Sequence, residues 1–388
     1  MILPPHGRRL PDVICFSHLR WDFVFQRPQH LMTRCARECH RLFFVEEPIF
    51  EPGIAPRLQT HLSKGVNVVV PFLPAGLDEP AAIAAQRALL DDLVAQRAIR
   101  SFVAWYYTPM ALPFSGHLSP SAVVYDCMDE LASFKGAPAV LKTQEALLLG
   151  RAGLVLTGGQ SLYEAKRHQH ENIHPFPSSV DVEHFAQARR VVTEPADQAL
   201  IPHPRLGFFG VIDERMDVDL LEGIAAARPD WHLILLGPVV KIDRALLPRR
   251  SNIHYLGAKQ YEDLPAYIAG WDVALLPFAR NEATRLTSPT KTPEYMAAGK
   301  PVVSTSIRDV VRPYGQQGLA RIADDVPAFV AACAAAMAED ASGRIRQADA
   351  FLRQTSWDGT WLRIRLLVEA LLRSRQADAD IVAGGLAG

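Results

Sequence analysis

Residues Ser288–Val303 read SPTKTPEYMAAGKPVV. Ser or Thr caps, a proline inside the first turn and Gly299 as the C-cap frame a short helix here, starting somewhere between Ser288 and Thr292. Upstream lies the apolar run VALLP, Val273–Pro277, and downstream lies PVVSTS, Pro301–Ser306. A helix set between two short apolar, β-branched runs is a β–α–β unit, which implies a parallel sheet covered on both faces.

The same alternation extends outward in both directions. RLGFFG, WHLILLG and IHYLG are strand candidates in the second half, with helices such as Val218–Ala227 and Leu264–Ala269 between them. In the first half the candidates are DVICF, RLFFVEE, VNVVVP, SFVAWYY, AVVYDCM and LVLTGG, separated by helical stretches such as Pro28–Cys39, Pro80–Arg97 and Val140–Gly150. A chain of 388 residues is too long for one ordinary core. The expected fold class is α/β, with two Rossmann-like domains facing each other across a cleft. They span residues 1–190 and 204–350, and the polar, proline-bearing segment Ala186–Pro204 reads as the linker. The end, ADADIVAGGLAG, reads as frayed.

Composition excludes several classes. Hydrophobic residues make up 49% and charged residues 21%, a globular balance. The net charge of -1 argues against nucleic acid as a partner. Five scattered cysteines without a CxxC pair argue against a disulfide framework or a zinc site and fit a reducing, cytoplasmic compartment. The first apolar run is too short for a signal peptide, and no stretch is long and apolar enough to span a membrane.

The chemistry concentrates on the same helix. Unpaired N–H groups at a helix start suit a diphosphate, and Lys291 adds a point charge there. Glu294 lies about one turn in, where a carboxylate can accept two hydrogen bonds from a ribose diol. An ordinary capped helix with a solvated lysine would look the same. No Asp-x-Asp pair stands in a loop suited to magnesium, because Asp217 and Asp219 open a helix. LGFFG lacks the G-x-G-x-x-G of dinucleotide enzymes.

The pattern of Pro289, Lys291, Glu294, Tyr295, Met296, Ala298, Gly299 and Pro301 resembles the donor-site helix of retaining group 1 glycosyltransferases of the GT-B fold, in the manner of family 4. Leu206–Gly210 followed by Arg215 resembles that family's first strand and basic turn, and PSSVDVEHF, Pro177–Phe185, resembles the stretch that closes its first domain. SHLRWDFVFQRPQHL and YDCMDE are similar to transferases of teichuronic-acid and exopolysaccharide clusters.

The resemblance implies a hexosyltransferase that takes a UDP- or GDP-linked sugar and acts on a glycan or lipid-linked acceptor. It implies retention of anomeric configuration and donor contacts at Gly210, Arg215, Ser288, Lys291 and Glu294. A terminal helix over 357–378 should cross back to the first domain. No cofactor beyond the donor substrate is implied, and with Arg215 and Lys291 as cations no metal is needed. The family's usual glutamate, eight positions before the helix glutamate, is replaced by Leu286, and Glu282 is the nearest carboxylate to take its role.

The first domain is expected to carry the acceptor. His18, Arg20, Trp21 and Asp22 follow its first strand at the carboxyl edge, where such sheets bind ligands, and form a cluster suited to a sugar. A packed tryptophan and a surface histidine are the plainer alternative. Asp126, Asp129 and Glu130 end another strand; one of them orients an acceptor hydroxyl, or Asp126 or Asp129 caps the next helix. The catalytic candidates are His18 and Asp126, with Arg20, Trp21 and Asp129 as acceptor contacts. His30, Arg34, Arg37 and Arg41 form a basic stripe that reads either as a solvated face or as a peripheral contact with the inner membrane surface. A sugar-nucleotide epimerase or hydrolase on the same fold, and a non-catalytic nucleotide-sugar-binding partner protein, are the alternatives.

Overall fold

The computed structural model describes residues 9–191 and 193–385. The second half forms a six-stranded, wholly parallel sheet. Across it run Ile253–Gly257, His232–Leu236, Arg205–Phe209, Val273–Leu276, Val302–Ser304 and Arg321–Ile322. This is the doubly wound order, and the direction of strand addition reverses between Arg205–Phe209 and Val273–Leu276. Buried runs such as HLILL and VALL leave both faces apolar, and helices cover them.

The first half forms a nine-stranded sheet. Its central strand, Asp12–Phe16, pairs with Leu42–Val45 on one side and Phe102–Tyr106 on the other, so the reversal point lies between Asp12–Phe16 and Phe102–Tyr106. One strand departs from the all-parallel expectation. Arg57–Ser63 runs antiparallel to Val66–Pro74, joined through Lys64 and Gly65 at φ 49° and 83°. Its burial pattern is mostly exposed, so it carries little of the apolar signal by which the other strands were read.

The segment read as a linker is largely ordered on the second domain. Gln198 is buried, accepts from Trp271 Nε1 at 3.0 Å and donates to the Tyr267 carbonyl at 2.9 Å.

The last helix, Trp357–Gly385, packs on the first sheet and extends through most of the stretch read as frayed. Its buried face is Trp357, Trp361, Ile364, Val368 and Leu371, whereas Leu362 and Leu366 face solvent. Trp361 Nε1 donates to Glu38 at 2.8 Å, and the Thr360 and Ser179 hydroxyls lie 2.7 Å apart. Each large apolar side chain buried this way contributes about 1.5–3 kcal/mol.

The basic stripe is not a face. His30 is buried and stacks on Trp357 at 4.5 Å, Arg34 pairs with Asp358 at 2.6 Å, and Arg41 lies beyond the helix and pairs with Asp12. Only Arg37 of the four is left exposed without an ion pair among the described residues. No described helix is long and apolar enough to cross a membrane. All five cysteines are buried and free.

Candidate functional site

A pocket of about 380 Å³ opens at the reversal point of the second sheet and is walled by both domains. Gly210 ends the strand Arg205–Phe209 at φ 140°, and a Cβ there would lie 2.2 Å from Lys291 Cε. The backbone angle favours glycine there, and the absence of a Cβ lets the lysine side chain lie over it. The helix runs over Lys291–Ala297, with Gly299 just past its end at φ 77°. It has only seven residues, so the Lys291 charge, rather than a long dipole, dominates its start.

Lys291 makes no side-chain hydrogen bond or ion pair among the described residues, and its ammonium lies 5.6 Å from the Phe209 ring centroid. Burial lowers its proton affinity and Glu294 opposes that shift. Glu294 is buried, and its Oε2 has no hydrogen-bond partner. Burial pushes its pKa up to about 8, with Lys291 pulling the other way. Nearby Tyr261 lines the same pocket, with a buried hydroxyl that also lacks a partner. Burial, and then the Glu294 charge, raise the Tyr261 pKa. Its ring stacks on His184 at 4.1 Å and meets Phe25 of the first domain at 4.8 Å. Tyr261 escaped the reading of the sequence because it has no motif, only a place on the pocket wall.

Arg215 also lines the pocket, but its guanidinium is forked onto Asp213 at 2.7 and 3.0 Å. The ring of Phe134, from the first domain, lies 5.6 Å away. Asp129 stands in this charged neighbourhood. Burial raises its pKa, and the Arg215 charge lowers it.

Of the other residues singled out by sequence, Trp21 and Asp22 line the pocket from the first domain, and the rest fall elsewhere. Ser288 lies against Gly159 of the first domain, not in the pocket. Glu282 is exposed and pairs with Arg285 at 3.0 Å, so it does not reach the place of the missing glutamate. Leu286 is buried in a core cluster of the first domain, among residues such as Phe16 and Leu162. An apolar side chain thus fastens the two domains where the resemblance implied a sugar contact. Around it, Asp309 caps the helix Gln160–Lys166 through Ser161, and Arg308 pairs with Glu164 at 2.6 Å.

In the first domain, Arg20 is committed to Glu46 at 2.9 Å and to the Glu47 carbonyl at 2.6 Å. Trp21 is core. It packs edge-on to Phe44 at 5.0 Å, and its Nε1 donates to Ser63 at 3.0 Å. Asp126 does not face the cleft as a free acid, because Arg27 holds it at 2.8 Å and both are buried. Nothing local signals that pair, whose members lie 99 residues apart.

His18 does not line the pocket either, but it forms no ion pair among the described residues. Its Nδ1 is buried without a partner, and burial, aided by Lys241 from the second domain, pushes its pKa down to about 4. It is therefore neutral at pH 7. No described group of three or more His, Cys, Asp or Glu side chains could hold a metal ion.

Residues 203–339 match the family described as glycosyl transferases, group 1. The chain carries a group 1 glycosyltransferase domain on the GT-B fold. It is 25% identical over 268 residues to TuaH of Bacillus subtilis (strain 168), whose name assigns it to teichuronic acid biosynthesis. That match covers 63% of this chain and 66% of TuaH, just under two thirds of the relative's length.

Among solved structures, the sucrose-phosphate synthase of Thermosynechococcus elongatus superposes with a TM-score of 0.69 at 14% identity, over 94% of this chain and 100% of that one. The UDP-forming trehalose-phosphate synthase of Burkholderia vietnamiensis gives 0.67 at 14%, over 95% and 99%. Anabaena HepE, in complex with UDP and glucose, gives 0.64 at 15%, over 92% and 99%. At these identities the likeness is one of fold.

Proposed function

We propose that this glycosyltransferase domain, with the facing first domain, moves a sugar from a UDP- or GDP-linked donor to a glycan or lipid-linked hydroxyl in cell-surface polysaccharide synthesis. The observation that carries the reading is the Glu294 carboxylate, buried with an unbonded oxygen beside the unpaired Lys291 ammonium. An unsatisfied buried acceptor costs about 1–3 kcal/mol, and this one belongs to a residue that lines the pocket. A ribose diol supplies the missing donors, and Tyr261 adds a hydroxyl to the same wall.

Lys291 and Arg215 put positive charge where the leaving diphosphate gains negative charge, the role a divalent metal plays elsewhere. His18, neutral and near Lys241 of the second domain, and Asp129, beside Arg215, align the acceptor hydroxyl; Asp126 is committed to Arg27 and has no such role. Retention follows from the family resemblance. The reading places the protein in the cytoplasm, at or near the inner face of the membrane where such acceptors are built.

The test is a thermal-shift screen across nucleoside diphosphates and their sugars. A ligand at 100 times its Kd should stabilise by about 2.7 kcal/mol. No shift with any of them overturns the donor reading. With a donor in hand, NMR of the product formed in chelator should show the retained anomer. Donor hydrolysis that is indifferent to acceptor would instead point to a hydrolase.

A further inference from the structure

The first sheet has a reversal point of its own, and a second cavity, of about 300 Å³, lies at it. Ser17 and Thr108, just beyond the carboxyl ends of Asp12–Phe16 and Phe102–Tyr106, both line it. Parallel sheets bind ligands outside this edge.

The cavity is lined wholly by the first domain, and the second domain approaches it through Lys241. His18 follows Ser17 directly, and Lys241 of the second domain comes close enough to favour the Glu47 carboxylate and to disfavour protonation of His18. Lys241 itself follows closely on Gly237 and Pro238, which line the donor pocket.

The two reversal points differ in charge. The donor pocket is lined by Arg215, Lys291, Lys259 and Lys64 against the carboxyl groups of Asp22, Glu262 and Glu294. The second cavity is lined by no lysine, arginine or histidine, and it carries Glu46, Glu47 and Glu79. Glu46 is neutralised, since Oε2 pairs with Arg20 at 2.9 Å and Oε1 accepts from the Trp21 N–H at 2.7 Å. Glu47 and Glu79 are exposed at the rim and form no ion pair among the described residues. A phosphate inside the cavity would meet these carboxylates and find no cation in the lining, since Arg20 and Lys241, which favour the Glu47 carboxylate, are not part of it.

The walls are apolar. Ile83, Met110 and Phe114 form them, and Phe50 stands at the edge with 49% of its surface exposed. A large aromatic left in water beside an apolar hollow marks a place for an apolar partner.

We infer that this cavity is the acceptor's subsite and that it takes an uncharged acceptor whose sugar carries an apolar aglycone, not a sugar phosphate. The inference rests on the reading of the chain as a glycosyltransferase. The sugar hydroxyl would face His18 and the donor, while the aglycone lies between Ile83, Met110 and Phe50. The cavity is large enough for a phenyl ring or a short alkyl chain, and the remainder of a longer one would leave past Phe50.

The test titrates the full chain, saturated with whichever nucleoside diphosphate stabilises it, with four probes by calorimetry. These are phenyl, n-octyl (below its micelle concentration) and methyl β-D-glucopyranoside, and glucose 6-phosphate. Phenyl and octyl glucosides should bind at least about tenfold more tightly than the methyl glucoside, with glucose 6-phosphate weakest. Each buried CH₂ contributes about 0.8 kcal/mol, so two suffice for that ratio.

Ile83→Glu should abolish the advantage, and the milder Met110→Ala should reduce it, each with nucleotide affinity unchanged. Equal binding of the three glucosides, tighter binding of glucose 6-phosphate, or an octyl advantage that survives in both variants overturns the inference. Nucleotide stabilisation without glycoside discrimination removes this subsite and leaves the donor reading intact. Loss of nucleotide stabilisation removes the donor reading itself.

Discussion

Asp126 and Glu294 are both carboxylates withdrawn from water, one in each domain, and burial raises the pKa of both. They differ in company. Asp126 accepts three hydrogen-bond contacts from Arg27, at 2.8, 3.0 and 3.3 Å, and Arg27 is itself anchored on the Phe176 carbonyl at 2.6 Å. Glu294 has an oxygen bonded to nothing and a lysine nearby that is equally unengaged. Burial alone therefore does not separate scaffold from site. The separating property is whether the folded chain already supplies the partners.

The largest expected effect lies at the satisfied pair. Asp126→Ala leaves Arg27 buried and unpaired and should cost about 3–5 kcal/mol of stability. Chemical denaturation measures it, and nucleotide affinity of the folded fraction should not change. A loss of under about 1 kcal/mol would make the two carboxylates alike after all.

The converse holds at the unsatisfied group. Glu294→Gln should leave stability nearly intact while weakening nucleoside-diphosphate binding by about 1.5–3 kcal/mol, and Lys291→Ala should do the same. Calorimetry showing unchanged affinity in both would take these residues out of the site.

Titration sharpens the contrast. The folded pKa of Glu294, about 8, lies above its ordinary value of 4.5, so the folded state binds more protons between those limits. Its contribution to stability is complete below pH 4.5 and is lost as pH rises through 8. A ribose diol donates best to the ionised carboxylate, so nucleotide-sugar affinity should rise over pH 7–9 with release of a proton. Calorimetry in buffers of different ionisation enthalpy detects that proton, and Glu294→Gln should abolish it. Affinity flat with pH in the unaltered protein would refute the assignment.

The smallest expected effect is at Tyr261. Tyr261→Phe keeps the stack on His184 and Phe25 and removes only the hydroxyl, so nucleoside-diphosphate binding should weaken by about 0.5–1.5 kcal/mol. Binding of inorganic diphosphate should not change. An equal loss for both would place the hydroxyl on the phosphates instead.

Much of this site was legible because its signals are local. Gly210 and Gly299 sit at positive φ beside a strand end and a helix end, and Lys291 and Glu294 lie within the first turn of the helix between them. The first domain was read less well for the opposite reason. Arg20 looks like a sugar contact by residue type, yet it is committed to Glu46 and the Glu47 carbonyl, and Trp21, though it lines the pocket, is tied to Phe44 and Ser63, groups that only the folded sheet brings near. The hairpin strand Arg57–Ser63 was missed because, exposed along most of its length, it lacks the apolar run that marks the buried strands.

The sequence by itself thus determined two parallel α/β layers and the residues that crowd one helix start, because β-branched runs, caps and glycines act over a few residues of backbone. Tertiary structure alone decided which charges remain unspent. Arg27 reaches Asp126 across 99 residues, Leu286 enters the core of the opposite domain, and Trp357 stacks on His30. Such pairings depend on strand order and domain docking, which bring distant residues together without leaving a mark in the spacing of the chain. What they leave unpaired on the pocket wall, Glu294, Lys291 and Tyr261, is what the cleft has to offer a ligand.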